Sequence, residues 1–256
     1  MAFKKDSVMG TMVFIISLSL VCSFMITGTA EILKERKLVK KRDEVKQFVL
    51  NAAGIANSSA DFRELFTTRV QPKLVDLESG EYIEQENLLD FDSRMAAINP
   101  ETSSKPKKDT AKIKSRADQI RIFEVFDAQG ELTSIVMPIY GTGLWSMMYG
   151  YLAVEPDLNT IKNIVFYEHG ETPGIADFVT DPDWTSLWQG KKLFDAKGKI
   201  AIKVVKGGAK AGDVHGVDGV SGATRTGVGI QKAVEFWFGV EGYQTFLHRF
   251  AKAEEK

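Results

Sequence analysis

The sequence has 256 residues, of which 44% are hydrophobic and 26% are charged, and its formal net charge is -1. This charge balance gives no electrostatic basis for nucleic-acid binding. The single cysteine, Cys22, excludes a disulfide framework, a thiolate zinc site and a Cys-ligated iron–sulfur cluster within the chain. The three histidines (His169, His215 and His248) lack metal-ligand spacing, so we predict no metal site.

An apolar segment near the amino end predicts a transmembrane helix. Residues 8–30 carry no charge and, at about 1.5 Å per residue, can cross a hydrocarbon core of roughly 30 Å. A signal peptide is the alternative, because Lys4 and Lys5 precede the segment, but the apolar core of a signal peptide is usually shorter. We therefore predict that residues 1–30 form a retained membrane anchor.

The charges that flank this segment do not fix its orientation. Basic residues are more numerous after the span than before it, and the positive-inside rule would then leave the large domain in the cytoplasm. Acidic residues are interspersed among them, however, and a large folded domain can be translocated despite flanking charge.

Residues 31–119 are predicted to form a juxtamembrane helical region followed by a polar loop. The stretch 31–55 has helical apolar spacing, and a second helix is predicted at Ser58 and Asp61, which resemble the start of a capping box. Residues 99–119 are polar, rich in lysine and contain two prolines. We interpret them as a solvated surface loop; contact with a partner or an anionic lipid surface is the alternative.

The pattern changes after residue 119 to short apolar segments that are separated by turn residues. The short connections favour antiparallel pairing over βαβ crossovers. Strands are predicted at 120–126, 132–140, 147–154, 161–167 and 200–205. Helices are predicted after Asp181, at 225–238 and at 240–252. The fold class is therefore α+β, with residues 120–256 forming a soluble domain of largely antiparallel sheets and flanking helices.

Two motifs lie at predicted turns of this domain. In GTGLW (residues 141–145) the glycines allow a tight turn that presents Trp145, and the absence of a following helix excludes a dinucleotide-binding loop. In HGETPG (residues 169–174) the Pro-Gly pair favours a turn that presents the Glu171 carboxylate and the Thr172 hydroxyl. Taken alone, each motif is more often an ordinary turn than a ligand site.

A third motif, DGVSGAT, ends at the start of the first carboxyl-terminal helix. Gly222 and Ala223 leave room for close backbone approach, and free N–H groups at a helix start favour an anion such as phosphate. Alternatively, Ser221 or Thr224 is simply the N-cap of the helix. That alternative does not account for Asp218 together with so many small residues.

Together these motifs resemble the FMN-binding domain family. DGVSGAT matches the family's flavinylation motif DGxSGAT, HGETPG matches its flavin-loop motif, and GTGLW matches its glycine-turn region, so the resemblance covers residues 120–240. With the anchor and the total length, the chain resembles the family of C subunits of Na⁺-translocating NADH:quinone oxidoreductases. The similar G subunits of Rnf-type ferredoxin–NAD⁺ complexes remain an alternative, as does an anchored domain without redox function.

The resemblance implies a flavoprotein subunit in which a separate flavin transferase joins FMN to Thr224 through a phosphodiester. It implies an electron carrier that is not active alone and that passes electrons from other subunits of a membrane complex toward a quinone. It also implies a bacterial inner-membrane anchor with the flavin domain on the periplasmic side, against the charge count. The residues expected at the cofactor are Thr224, Ser221, Gly222, Ala223, Asp218, Glu171, Thr172, Gly174, Ile175, Trp145 and Leu144.

Overall fold

The computed structural model describes residues 8–55 and 61–254, except for the side chain of Glu254. Lys4, Lys5 and Ser58 therefore lie outside the described residues. The chain divides into two compact units, Met1–Val45 and Lys46–Lys256.

The helices are α1 (Val8–Ala52), α2 (Phe62–Arg69), α3 (Ser93–Ile98), α4 (Pro182–Ser186), α5 (Thr224–Trp237) and α6 (Gln244–Glu254). The strands are β1 (Val70–Asp76), β2 (Tyr82–Ile83), β3 (Ser103–Ser104), β4 (Arg116–Ala117), β5 (Gln119–Phe126), β6 (Leu132–Thr142), β7 (Met147–Val154), β8 (Ile161–Glu168), β9 (Lys203–Val205) and β10 (Gly216–Asp218).

Helix α1 contains the predicted span and continues into the predicted juxtamembrane helix without a break. Its most apolar stretch has a mean hydropathy of 2.2 and none of it is buried. Within the part of the chain that the structure describes, α1 is the one helix long and apolar enough to cross a membrane. Length and composition therefore fit the predicted transmembrane anchor.

The soluble part is built on a six-stranded sheet with the order β2-β1-β5-β6-β7-β8. Every pair of neighbours is antiparallel, and for the consecutive strands β5 to β8 this confirms the prediction from their short connections. Helix α5 packs on β6, where the indole N–H of Trp237 donates to the Tyr140 carbonyl at 2.7 Å. The buried apolar cluster joins these elements, and the α+β class is confirmed.

Strand β1 was not predicted, although it pairs along its whole length with β5. Its sequence VQPKLVD mixes polar residues with Pro72, which cannot donate a hydrogen bond to a neighbouring strand. β2 pairs only with Leu74 and Val75, so Pro72 lies where the outer edge of β1 is open. The sheet therefore begins within the region that the sequence predicted to be helices and loop.

Helix α2 begins at Phe62, three residues later than a capping box that starts at Ser58 would place it. Asp61 itself is the N-cap, and its carboxylate accepts the N–H of Glu64 at 3.4 Å. At α4 the prediction is confirmed, because the Asp181 carboxylate caps the helix by accepting the N–H of Asp183 at 2.9 Å.

Two carboxyl-terminal predictions are corrected by the structure. The strand predicted at 200–205 is reduced to β9, which pairs in parallel with β10, because Ile200 forms an isolated bridge with Phe194 instead. The last helix begins at Gln244 rather than at residue 240. Val240 therefore lies outside the helix and is 74% exposed, whereas Tyr243 is fully buried.

Candidate functional site

The GTGLW segment forms the turn of the β6–β7 hairpin. The Gly143 N–H donates to the Ser146 carbonyl at 2.8 Å and closes the turn. Leu144 and Trp145 lie at its tip, where their side chains are 37% and 70% exposed. A Cβ at Gly143 would lie 2.5 Å from Oε1 of Glu171, so any larger residue at this position would displace the carboxylate. The turn therefore presents apolar side chains to solvent above a buried carboxylate.

The Glu171 carboxylate joins two of the three motifs to the start of α5. It accepts the backbone N–H groups of Leu144 at 3.1 Å and Trp145 at 3.0 Å, and that of Ser146 at 3.4 Å. On its other oxygen it accepts the hydroxyl of Thr226, the third residue of α5, at 2.5 Å. The side chain is only 4% exposed, so its charge is satisfied by protein donors rather than by water.

These donors decide the protonation state of Glu171. Burial by itself raises the pKa of a carboxyl group, but here the Thr226 hydroxyl and the three backbone N–H groups outweigh it. The pKa of Glu171 is therefore held below its ordinary value. At neutral pH the group is an anion whose role is to position the loops around it.

The 169–175 loop also contacts the hairpin directly. The indole N–H of Trp145 donates to the Thr172 hydroxyl at 3.0 Å, and the Gly170 N–H donates to the Ser146 hydroxyl at 2.6 Å. Gly174 adopts a φ of 73°, as the predicted Pro-Gly turn requires. Ile175 is 56% exposed, so the loop adds an apolar side chain to this surface.

Helix α5 begins at Thr224 without a side-chain cap. Ala223 occupies the N-cap position, and neither Ser221 nor Thr224 serves as the cap, which corrects the alternative interpretation of these hydroxyls. Both hydroxyl-bearing residues are exposed. Because the first three N–H groups of a helix have no intrahelical acceptor, this end offers donors to an anion. Gly222 has a φ of 85° with open space around it, so its role is the left-handed turn before the helix.

Asp218 stabilises the loop next to this helix start. Its carboxylate accepts the Ala209 N–H at 2.6 Å, and its carbonyl accepts the indole N–H of Trp184 at 2.8 Å. The side chain is exposed, and because its carboxylate accepts this one hydrogen bond, its remaining lone pairs can accept further hydrogen bonds from solvent. Asp218 therefore shapes the segment that leads to Thr224.

The structure brings the predicted residues together to different degrees. Leu144, Trp145, Glu171 and Thr172 contact one another, and Thr226 links them to the first turn of α5, which carries Thr224. Asp218 contacts a different loop. Sequence reasoning missed Thr226 and Ser146. Thr226 could have been found from its helical spacing to Ile230 and Ala233, because this spacing places its hydroxyl on the buried face of α5.

The site combines an uncapped helix start, two joined turns and a rim of exposed apolar side chains, and these features are compatible with a nucleotide that carries a flat ring. A family model described as the FMN-binding domain matches residues 143–239, which include the three motifs from Gly143 onward. These residues fit FMN, because the free N–H groups of α5 suit its phosphate and the apolar rim suits its ring.

The comparisons with whole proteins identify the family more narrowly. The C subunit of the Na(+)-translocating NADH-quinone reductase of Haemophilus ducreyi is 40% identical over 250 residues, covering 97% of this chain and 96% of that protein. A crystal structure of Shewanella oneidensis NqrC matches with a TM-score of 0.82 and 62% identity, covering 84% of this chain and 99% of that one. The corresponding C subunit from Parabacteroides distasonis matches with a TM-score of 0.64 and 28% identity, covering 83% and 94%. The chain belongs to the family of Na⁺-translocating NADH-quinone reductase C subunits, which confirms the family predicted from its motifs.

Proposed function

We propose that this chain carries FMN bonded through its phosphate to Thr224 and relays electrons within a Na⁺-translocating NADH-quinone reductase. The observation that carries the proposal is the start of α5, where an exposed threonine is followed by N–H groups without a side-chain cap. A phosphate bonded to the Thr224 oxygen would lie beside those donors, and the positive end of the helix dipole would stabilise it. Arg225, which is exposed in the same turn, adds a positive charge.

The attachment step requires an activated flavin nucleotide and a separate flavin transferase. The Thr224 oxygen attacks the flavin-bearing phosphorus of a nucleotide that contains a pyrophosphate bond. A new P–O bond forms, the pyrophosphate P–O bond breaks, a nucleoside monophosphate leaves, and a base of the transferase takes the hydroxyl proton. The small residues before Thr224 leave the oxygen accessible for this reaction.

The isoalloxazine supplies the redox chemistry, and the protein supplies position and environment. We assign ring contacts to the exposed side chains of Leu144, Trp145 and Ile175, which lie on the two joined turns. Glu171 holds these turns in place, since its carboxylate is already occupied by protein donors. Thr172 fixes the orientation of the Trp145 indole through the hydrogen bond between them.

The family and the apolar helix α1 support a proposal for the location of the domain. We propose that α1 anchors the chain in the lipid of a bacterial inner membrane, that the flavin domain lies on the periplasmic side, and that the other subunits of the complex exchange electrons with it. Protease added to intact spheroplasts tests the orientation. Digestion of the soluble part is expected, whereas protection that is lost only after lysis would contradict a periplasmic domain.

The covalent bond is tested on the full chain coexpressed with a flavin transferase. After denaturation and electrophoresis, the wild-type band is expected to fluoresce, and Thr224→Ala is expected to abolish the fluorescence completely. Ser221→Ala is the matched control, because it removes an exposed hydroxyl three residues earlier and should retain the signal. A dark wild-type band, or a fluorescent Thr224→Ala band, would refute attachment at this residue. Copurification with an NADH-oxidising subunit then tests membership of the complex.

A further inference from the structure

Arg94 is not among the residues assigned to the cofactor. It contacts both an aromatic ring and a carboxylate. It lies on α3, and its guanidinium carbon is 3.4 Å from the centroid of the Tyr149 ring. Two of its nitrogens donate to the two oxygens of Glu168, at 3.0 and 2.8 Å. The planar side chain of Arg94 therefore stacks on an aromatic ring while it forms a bidentate pair with a carboxylate.

Tyr149 and Glu168, which make the closest of these contacts with Arg94, are cross-strand partners at one end of the sheet. Tyr149 pairs with Glu168, and the β7–β8 register shifts directly after Tyr149. From this point β7 leads back into the 143–146 turn, and β8 leads forward into the 169–175 loop. Arg94 thus contacts both strands where they leave the sheet, whereas Glu171 joins the same two turns at their tips.

The surroundings of Arg94 favour a fixed geometry. Burial lowers the pKa of a guanidinium, but the Glu168 carboxylate, together with Tyr167, outweighs this and raises the pKa of Arg94 further above its ordinary value. The group is therefore a permanent cation. Its side chain is 36% exposed, less than the 57% of Arg249, which forms a surface pair with Glu81. Surface pairs contribute little, whereas a stacked bidentate pair restricts both partners.

We propose that Arg94 is a positioning residue that fixes the base of the 143–146 turn and the 169–175 loop, and so orients the flavin environment. This inference rests on the proposed function, because the two turns matter for electron transfer only if they contact the flavin. The guanidinium acts through Tyr149 and Glu168 and is not itself assigned to the cofactor. Lysine cannot replace it, because an ammonium neither stacks in the same way nor forms two parallel hydrogen bonds.

Amide hydrogen exchange of the full chain in detergent tests the positioning role without any need for flavin. In Arg94→Gln, exchange within 143–146 and 169–175 is expected to become about fivefold faster, because local opening loses one charge-assisted pair. Arg94→Lys is expected to give most of the same increase. Arg249→Gln is the matched control, since it breaks the surface pair with Glu81 and should leave both turns unchanged. Unchanged exchange in Arg94→Gln, or an equal increase throughout the sheet, would overturn the inference. Wild-type exchange rates in Arg94→Lys would show that the planar guanidinium is not required.

A second measurement on flavinylated protein connects the loops to the cofactor. Arg94→Gln should retain full band fluorescence after denaturation, while iodide quenching of the flavin in the folded protein becomes about twofold stronger as the loop opens. Equal quenching in wild type and Arg94→Gln would overturn the role in orienting the flavin environment. If the wild-type band is dark, the proposed function fails, and the exchange experiment still decides whether Arg94 fixes the two turns.

Discussion

Glu171 and Asp218 are two carboxylates of the same candidate site with opposite surroundings. Glu171 is 4% exposed and accepts four protein donors, whereas Asp218 is exposed and its carboxylate accepts the Ala209 N–H. Correspondingly, the turns joined by Glu171 are closely hydrogen-bonded, while the helix start after Asp218 has no side-chain cap. The part of the site next to the proposed ring position is satisfied within the protein. The part that carries Thr224 is left open, as the proposed attachment by another enzyme would require.

The largest contrast is expected when each carboxylate is replaced by its amide. Glu171→Gln places an NH₂ group against N–H donors in a buried site and should lower the free energy of unfolding by about 3 kcal/mol. Asp218→Asn keeps one acceptor at an exposed position and should cost no more than about 0.5 kcal/mol. Urea unfolding of the two variants measures the difference. Equal losses in the free energy of unfolding would show that the burial of Glu171 does not make its carboxylate more important for stability than that of Asp218.

Two glycines provide the next largest contrast. Gly143→Ala would place a Cβ 2.5 Å from Oε1 of Glu171, so we expect a loss of about 2 kcal/mol as the carboxylate is displaced. Gly222→Ala meets open space and only the strain of a positive φ, about 1 kcal/mol. Thermal unfolding of both variants compares the two losses of stability. A larger loss in Gly222→Ala than in Gly143→Ala would contradict the close contact between Gly143 and the Glu171 carboxylate.

Acid sensitivity separates Glu171 from ordinary surface carboxylates. Since the pKa of Glu171 is below its ordinary value of 4.5 in the folded state, the group adds stability above that pH, and this stability is lost as the pH falls further. Thr226→Val removes one donor, so the free energy of unfolding should fall by about 1 kcal/mol at neutral pH, and the difference from wild type should be smaller at a pH well below 4.5.

Thr133→Val is the control for this experiment, because the Thr133 hydroxyl donates to the Val125 carbonyl rather than to a carboxylate. Its loss of stability should be the same at both pH values. A pH-independent loss in Thr226→Val would mean that the hydroxyl does not stabilise the anion of Glu171.

The smallest effect is expected at the open end of the site. Ala223→Ser places a hydroxyl at the N-cap of α5 and should raise the free energy of unfolding by about 0.5 kcal/mol. The same hydroxyl would occupy donors that the phosphate needs, so flavinylation should slow, which a time course of band fluorescence measures. Val228→Ser, on the exposed side of α5 beyond its first turn, should leave the rate unchanged. Unchanged flavinylation in Ala223→Ser would argue against phosphate binding at these N–H groups.

Much of the sheet could be predicted from local patterns. The strand Met147–Val154 was predicted with the observed ends, because turn residues bound an apolar segment on both sides. β1 could not be predicted, since Pro72 and its polar neighbours give no strand signal and only pairing with β5 stabilises them as a strand. Val240 was assigned to a helix because a periodic pattern does not reveal where a helix must begin.

The sequence by itself determined the apolar span, the α+β class and the three motifs, because each depends on residue type at short spacing. Only the tertiary structure decided which of those motifs contact one another. It placed the Glu171 carboxylate between the hairpin and Thr226, fifty-five residues away along the chain, and it left Thr224 at an uncapped helix start. Such contacts depend on how α5 packs on β6, where Gly141 and Ala233 approach closely, and no local pattern encodes that register.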